Sequence, residues 1–179
     1  MTLGPTLTTQ RLILRPPTQD DFPAFANMMA DGDHVRFVGG QMGPALAWRT
    51  LATLTGAWVL RGFSMFSVIE KDTGAWVGRI GPWYPEGWPG KEIGWGLSRA
   101  ATGKGYAHEA AAACMDYVFD SLNWEQVIHV IAHDNIGSIG VAKRLGSTNL
   151  GPTKLPPPLD MFEVDAWGQT REQWRTRCR

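Results

Sequence analysis

Cysteine is nearly absent: 179 residues hold only Cys114 and Cys178, with no CxxC pair. That excludes a disulfide scaffold and a cysteine-built zinc site, and points to a reducing, cytoplasmic setting. An excess of either charge is also missing, since 17 Lys and Arg balance 17 Asp and Glu. Without a global positive field, neither nucleic acid nor an anionic membrane surface is an expected partner, although a local basic patch stays open. The chain has no apolar run of the roughly eighteen residues that a membrane span requires. Its start, Met1-Thr2-Leu3-Gly4-Pro5, lacks the basic stretch and long apolar segment of a signal peptide. Internal repeats and low-complexity segments are absent.

What is present is a globular composition, 44% hydrophobic and 19% charged. The length suits one domain over residues 1–179. A chain of this size buries roughly 70% of its unfolded surface, so no metal staple is needed. Tryptophan is abundant, nine in all, and Trp83, Trp88 and Trp95 fall close together. Such density suits an aromatic pocket or simply a bulky core.

Hydrophobic periodicity sets the element order. Thr9 to Arg15 reads as a first strand stopped by Pro16 and Pro17. Thr18 and Asp21 resemble a capping box ahead of Phe22, Phe25, Ala26 and Met29 at helical spacing. A second helix covers about residues 44 to 60, with Ala47, Leu51, Leu54 and Trp58 as its buried stripe. Strands follow over Phe63–Glu70 and Ala75–Tyr84, turned by Asp72-Thr73-Gly74, and over Lys91–Leu97 after the loop Pro85–Gly90. Ala107–Leu122 reads as a long helix, Gln126–Ala132 as a strand, and Asn135–Leu145 as a short helix that Gly146 ends. Past the Pro156–Pro158 loop, Met161–Trp167 reads as a strand, and a frayed helical turn closes the chain from Thr170. The order β-α-α-β-β-β-α-β-α-β-β makes a mixed α+β domain with a central sheet.

The most informative stretch runs from Leu97 and Ser98 through Thr102-Gly103-Lys104-Gly105-Tyr106-Ala107. A strand ends, two glycines follow with one residue between them, and a helix starts. Glycines let the backbone N–H groups turn inward, and with the free donors of the helix start they form an anion site suited to a pyrophosphate. A bare glycine turn is the competing reading. A Walker A loop fails, because Ser98 stands where its first Gly belongs and Gly105 follows Lys104. A dinucleotide fingerprint fails at His108. Later, Asn135 and Ser138 lie on one face of a helix start, able either to bind a passing ligand or simply to cap the helix.

Together these stretches resemble the GNAT superfamily of acetyl-CoA-dependent N-acetyltransferases over nearly the whole chain. Thr102–Ala107 is similar to the family's Q/R-x-x-G-x-G/A loop, and Asn135 with Ser138 to its N-x-x-S segment. Thr9-Gln10-Arg11-Leu12-Ile13-Leu14-Arg15 resembles the T-E-R-L-x-L-R opening of the RimJ/RimL branch, which acetylates ribosomal-protein N-termini. The resemblance implies a mixed, mostly antiparallel twisted sheet, splayed between its fourth and fifth strands and flanked by helices. Acetyl-CoA would lie in that gap with no metal, its pantetheine against backbone at Leu97 and Ser98 and at Asn135. Its diphosphate would sit on the N–H groups of residues 103 to 107. Three positions depart from the pattern: Thr102 replaces a long polar or aromatic residue, Ser147 a phenylalanine, and Ala142 the tyrosine that protonates the leaving thiolate in many relatives.

Acetylating an amine needs a base for the ammonium proton and an acid for the thiolate. Glu92 opens its strand and resembles the family's fourth-strand base; pairing with Lys91 or Arg79 is the structural alternative. Ser138 is the candidate partner for the departing sulfur, and a backbone N–H near Leu97 for the thioester carbonyl. Trp83 and Trp88 flank the loop before Glu92 and suit a flat or apolar acceptor, packing under that loop, or a dimer contact. His129 and His133 share a strand face but lack a third metal ligand. His108 and Cys114 read as a solvated helix residue and an inert buried thiol. The expected activity is acetyl transfer from acetyl-CoA to a primary amine, a small molecule or a protein N-terminus, by direct attack in a ternary complex. The alternatives are a non-catalytic CoA or acyl-CoA-binding module, and a transferase of the same fold with another donor. The chain is expected to act as a monomer or homodimer.

Overall fold

A computed structural model describes residues 3–177; Met1, Thr2, Cys178 and Arg179 lie outside the described residues. The elements are β1 (Leu7–Thr8), β2 (Leu12–Arg15), α1 (Phe22–Ala30), α2 (Gly32–Val35), α3 (Pro44–Arg61), β3 (Phe66–Glu70), β4 (Trp76–Trp83) and β5 (Glu92–Leu97). They continue with α4 (Tyr106–Asp120), β6 (Gln126–Ala132), α5 (Ile136–Leu145), β7 (Thr148–Thr153), β8 (Val164–Thr170) and α6 (Arg171–Arg177). One sheet runs in the order β1-β2-β3-β4-β5-β6-β8-β7. Its pairs are antiparallel except β5 with β6. The expected fourth and fifth strands are therefore β5 and β6.

Helices cover both faces because the strands bury both. On one face Ala110, Ala111, Cys114 and Val118 of α4 pack against Leu12, Leu14, Ile80 and Ile93. Alanines at those positions let the helix come close to the sheet. On the other face Phe25, Met28 and Met29 of α1 meet Ala47, Leu51 and Leu54 of α3. Gly62 and Gly146 end α3 and α5 in the left-handed region, at φ 75° and 87°, where a Cβ would be strained.

Several boundaries differ from the sequence reading. The last strand starts at Val164, and Met161 and Phe162 hang in an exposed loop, 77% and 46% accessible. Their apolar character belongs to that loop and not to a ladder. β7 supplies the strand the element order required without a location, and β1 and α2 are too short to leave a periodic signal. The closing turn is a full helix, because Trp174 is buried and its Nε1 donates to Asp116 Oδ1 at 2.7 Å.

The splay has a visible cause. β5 and β6 pair at a single position, Glu92 with Ile128, where the Ile128 N–H donates to the Lys91 carbonyl at 2.9 Å. In a continued parallel ladder the Val130 N–H would next donate to the Ile93 carbonyl. Both groups are taken by side chains instead. Val130 N–H donates to Glu92 Oε1 at 3.2 Å, and the Ile93 carbonyl accepts from His129 Nδ1 at 2.7 Å. At these two groups the strands satisfy their backbone and still part.

The opening segment is tied down residue by residue. Leu12 and Leu14 are fully buried, while Arg11 reaches Glu109 through Nε and its own backbone N–H, at 2.7 and 2.8 Å. Arg15 forms a two-pronged pair with buried Asp21, at 2.8 and 2.7 Å. Asp21 also accepts from the Thr18 N–H, as the expected capping box requires, and from Ser67 Oγ. Burial works to raise the Asp21 carboxyl, but the hydrogen bonds from Arg15, Thr18 and Ser67 outweigh it and hold it below the ordinary range. Replacing Asp21 with Ala strands a partly buried guanidinium, at a cost of about 3 kcal/mol. Thermal unfolding at pH 7 should show Tm lower by roughly 10 °C; a drop under about 2 °C would remove this network from the stability account. The contribution is present above the unfolded carboxylate value, about 4. The gap between variant and parent should therefore close as pH falls below it.

Candidate active site

A cavity of about 360 Å³ opens where β5 and β6 part. Its floor is Glu92, Gly94 and Arg79, and its inner wall Trp95, Asn135 and Ser138. Trp83, Trp88, Leu155, Leu159 and Phe162 form the outer wall, and the Arg36–Gly39 segment with Met42 roofs it. Five residues singled out in the sequence, Glu92, Ser138, Asn135, Trp83 and Trp88, thus come together.

Glu92 is buried, and burial is the main force on it, pushing its carboxyl up to about 7. The Val130 N–H and Trp88 Nε1, the latter at 2.5 Å, hydrogen-bond to it and work the other way. The ion pair with Arg79 or Lys91 that the sequence left open is not formed. Met65 lies between: its Cε fills the space above Gly94, beside Glu92, and its Sδ meets the Arg79 guanidinium. Arg79 keeps one oxygen partner, the Val38 carbonyl at 3.2 Å, and its buried Nε has none. Desolvation lowers its guanidinium to about 10, still charged at neutral pH.

His129 bridges the parted strands. A carbonyl only accepts, so Nδ1–H donates to Ile93, and Nε2 accepts from Ser147 Oγ at 3.0 Å. Gln169 Nε2 donates to the same hydroxyl at 2.9 Å. Burial lowers the His129 pKa to about 4, which keeps the ring neutral. His133 meets Asp165 at 3.0 Å. Both histidines have protein partners, and Ser147, read as a departure from a phenylalanine, serves this chain. Cys114 is fully buried and its thiol is pushed up by desolvation, as an inert thiol requires.

Beyond Glu92, the alternate edge of β5 faces the gap. Ser98 N–H donates to Val77 on β4, so positions 95 and 97 point their backbone groups the opposite way. At Leu97 the expectation needs correction. Its carbonyl accepts from His34 Nε2 at 2.7 Å, because α2 lies over this end of the strand, held by two 2.6 Å bonds from Arg99 to Asp31. The Leu97 N–H is the group left facing the gap.

The two glycines take the conformation predicted for them, φ 77° at Gly103 and 82° at Gly105. The N–H groups of residues 103 to 105 meet no backbone acceptor among the described residues, and those of 106 to 108 open α4. The side chains here face elsewhere. Thr102 Oγ1 donates to the Arg99 carbonyl at 2.7 Å, Lys104 lies 3.7 Å from Glu70, and the Tyr106 hydroxyl donates to Glu70. What the loop offers is backbone. Arg11 and Thr9 brace it, Arg11 donating to the Lys104 carbonyl at 3.0 Å and Thr9 to Glu109 at 2.6 Å.

Asn135 caps α5, its Oδ1 accepting from the Ser138 N–H at 3.2 Å, and it also faces the cavity. Ser138 Oγ accepts from Trp95 Nε1 at 3.1 Å, which leaves its hydroxyl proton for another acceptor. Ala142 is fully buried. Sequence reasoning missed Met65, Phe37 and His34, and treated Arg79 only as a partner for Glu92. Arg79 had a signal, a lone charge among Trp76, Val77, Ile80 and Pro82.

Residues 11–148 match the family model described as acetyltransferase (GNAT) domain. Among curated relatives, Bacillus subtilis (strain 168) YkkB is 37% identical over 48% of this chain, and N-acetyltransferase YnaD of the same organism 31% identical over 61%. The alignments span 51% and 65% of those proteins. The acetyltransferase from Agrobacterium tumefaciens is 33% identical, covers 92% of this chain and 94% of its own, and superposes with a TM-score of 0.80. Mycobacterium smegmatis RimJ, solved with CoA-disulfide, shares the fold at 19% identity and a TM-score of 0.74, over 95% of this chain and 89% of its own. With most of its length matched and its sheet parted at β5 and β6, this chain belongs to the GNAT acetyltransferase family.

Proposed function

We propose that the chain transfers an acetyl group from acetyl-CoA to a primary amine by direct attack in a ternary complex, as a cytoplasmic monomer or homodimer. The observation that carries the reading is a buried Glu92 raised to about 7 at the floor of a cavity that meets the unpaired edge of β5. Acetyl-CoA supplies the activated acyl group, and the residues present fit it: free N–H groups at Gly103–Gly105 for its diphosphate and an open gap between β5 and β6 for its arm.

The protein's part follows from the chemistry. An aliphatic amine is mostly protonated at neutral pH, so the Glu92 carboxylate takes the proton that blocks attack. The outward N–H at Leu97 stabilises negative charge growing on the carbonyl oxygen. The Ser138 hydroxyl, already accepting from Trp95, points its own proton toward the departing sulfur, a role that Ala142 cannot fill. Trp83 and Trp88 shape the acceptor side and exclude water.

Acetyl-CoA and CoA, but not NADH, should raise Tm by several degrees when present at about a hundred times Kd; no shift at millimolar acetyl-CoA would overturn the donor site. Binding without turnover of any amine would instead favour the non-catalytic module. Because the carboxylate is the active form, kcat/KM should climb with pH through about 7. E92Q should lose that limb and about a hundredfold or more in rate. Near-normal turnover of E92Q across pH 6 to 9 (a window of roughly a unit or two about the Glu92 value) would remove Glu92 as base. S138A should slow kcat roughly tenfold or more while the acetyl-CoA shift persists, and a loss under about threefold would dismiss Ser138.

A further inference from the structure

We infer that the acceptor amine carries its own carboxylate on an apolar or aromatic body, as an apolar amino acid does, with Arg79 holding the carboxylate and Arg36 standing at the mouth. The inference rests on the amine-acetylation reading above and names the substrate class for the same cavity. Its first ground is charge. Among the described residues that line the cavity, Glu92 is the one carboxylate, while two guanidiniums face in. A polyamine or other polycationic acceptor needs several acidic partners and would meet the opposite sign here.

The second ground is hydrogen bonding. A guanidinium has five N–H donors. Arg79 uses one on the Val38 carbonyl, rests another against the Met65 sulfur, and leaves a buried Nε–H without a partner. A part-buried arginine with a buried, unpartnered Nε–H is costly unless an acceptor arrives, and a carboxylate meets a guanidinium fork with two parallel bonds. Arg36 lies over the Phe37 ring at 4.5 Å, at an exposed position on the rim.

The third ground is placement. In the β4–β5 register Arg79 pairs with Gly96, Gly81 with Gly94, and Trp83 with Glu92. Side chains at these positions share one face, so the cation and the base stand at opposite ends of one strip. Along the strands they are about 13 Å apart, four residues at strand rise. The strip between them carries glycine, covered by the flexible end of Met65 at Gly94. An acceptor with its amine at Glu92 and its carboxylate toward Arg79 lies along that strip, its body against Trp83 and Phe37. A peptide N-terminus carries no such charge near its amine.

The test measures CoA release with a free amino acid such as phenylalanine, its amide, its decarboxylated amine, an uncharged-side-chain tripeptide, and spermidine. The amide has a less basic amine than the amino acid and the decarboxylated compound a more basic one. A preference over both therefore reports the carboxylate and not the amine's protonation. The free amino acid should lead in kcat/KM by about tenfold or more, the scale of one charge-assisted contact. R79Q should abolish that lead by raising KM for the free amino acid relative to the decarboxylated amine. R36Q, on the exposed rim, should narrow it, and it serves if R79Q fails to fold. Equal or better turnover of the amide, the amine, the tripeptide or spermidine overturns the inference and leaves amine acetylation standing. So does a preference that both variants keep. No turnover of any acceptor overturns both.

Discussion

Two side chains decide the architecture by standing where backbone bonds belong. Glu92 accepts the N–H of Val130, and His129 donates to the carbonyl of Ile93. Parallel strands ordinarily keep every ladder bond, since a lost one leaves buried polar groups that cost about 1–3 kcal/mol each. Here the groups are satisfied without the strands staying together, so the sheet opens at no such cost. The His129 Nδ1–H that holds Ile93 is present in either protonation state, and neutrality is what lets Nε2 accept from Ser147. The burial of His129 and the Ser147–Gln169 chain behind it enforce that neutral state. The gap, the cavity below it and the free edge of β5 are consequences of the same substitution.

The segment from Thr9 to Arg15 performs a second structural task at a distance. A loop with two residues in the left-handed region and several free N–H groups gains little from its own hydrogen bonds. It is fixed instead from outside: Thr9 and Arg11 hold Glu109 in the first turn of α4, and Arg11 also holds the Lys104 carbonyl. The free donors can then stay free and oriented, since the bonds that order the loop run through its carbonyls and the helix behind it. β2 is anchored in turn by its leucines and by the Arg15–Asp21 pair. A motif that reads as a strand signature is therefore also the support of the proposed anion site.

Most of this was legible wherever one local signal decided the outcome. Periodicity located α3 and α4, turn chemistry located the β3–β4 hairpin, and glycines after a strand marked the loop at 103 and 105. The resemblance to the GNAT superfamily, laid on the element order, placed the parting of the sheet. Less legible were features set by contacts between distant segments. Nothing in Ile13 to Arg99 announces that His34 will take the Leu97 carbonyl, nor that Met65 will separate Arg79 from Glu92. Nor does the sequence show where the side chains of Thr102 and Tyr106 go, since the expectation there concerned the backbone N–H groups of residues 103 to 107. Those side chains turn to Arg99 and Glu70 because those partners come from a neighbouring turn and another strand. Met161 and Phe162 misled for the opposite reason. Apolar residues mark a strand only if something covers them, and here the loop leaves them open.

Met65 links the stability of the site to its chemistry. Had Arg79 reached Glu92, the carboxyl would have fallen below its ordinary range, as Asp21 does beside Arg15. Such a carboxylate is a poor acceptor for a proton from an amine. By keeping the cation on the same floor but out of contact, a thioether leaves desolvation as the main force, and the carboxyl rises to about 7. The arrangement is unfavourable for folding. A carboxyl raised above its unfolded value, about 4.3, destabilises the native state progressively as pH rises through that window, by about 1.4 kcal/mol for each pK unit. By the pH at which Glu92 becomes a carboxylate, about 7, the fold has already given up that stability. Two charges held apart in one cavity, one without a full set of partners and one without its charge below neutral pH, break the ordinary rules of a core together. Local rules broken in concert are expected at functional sites, and here they support the proposed one.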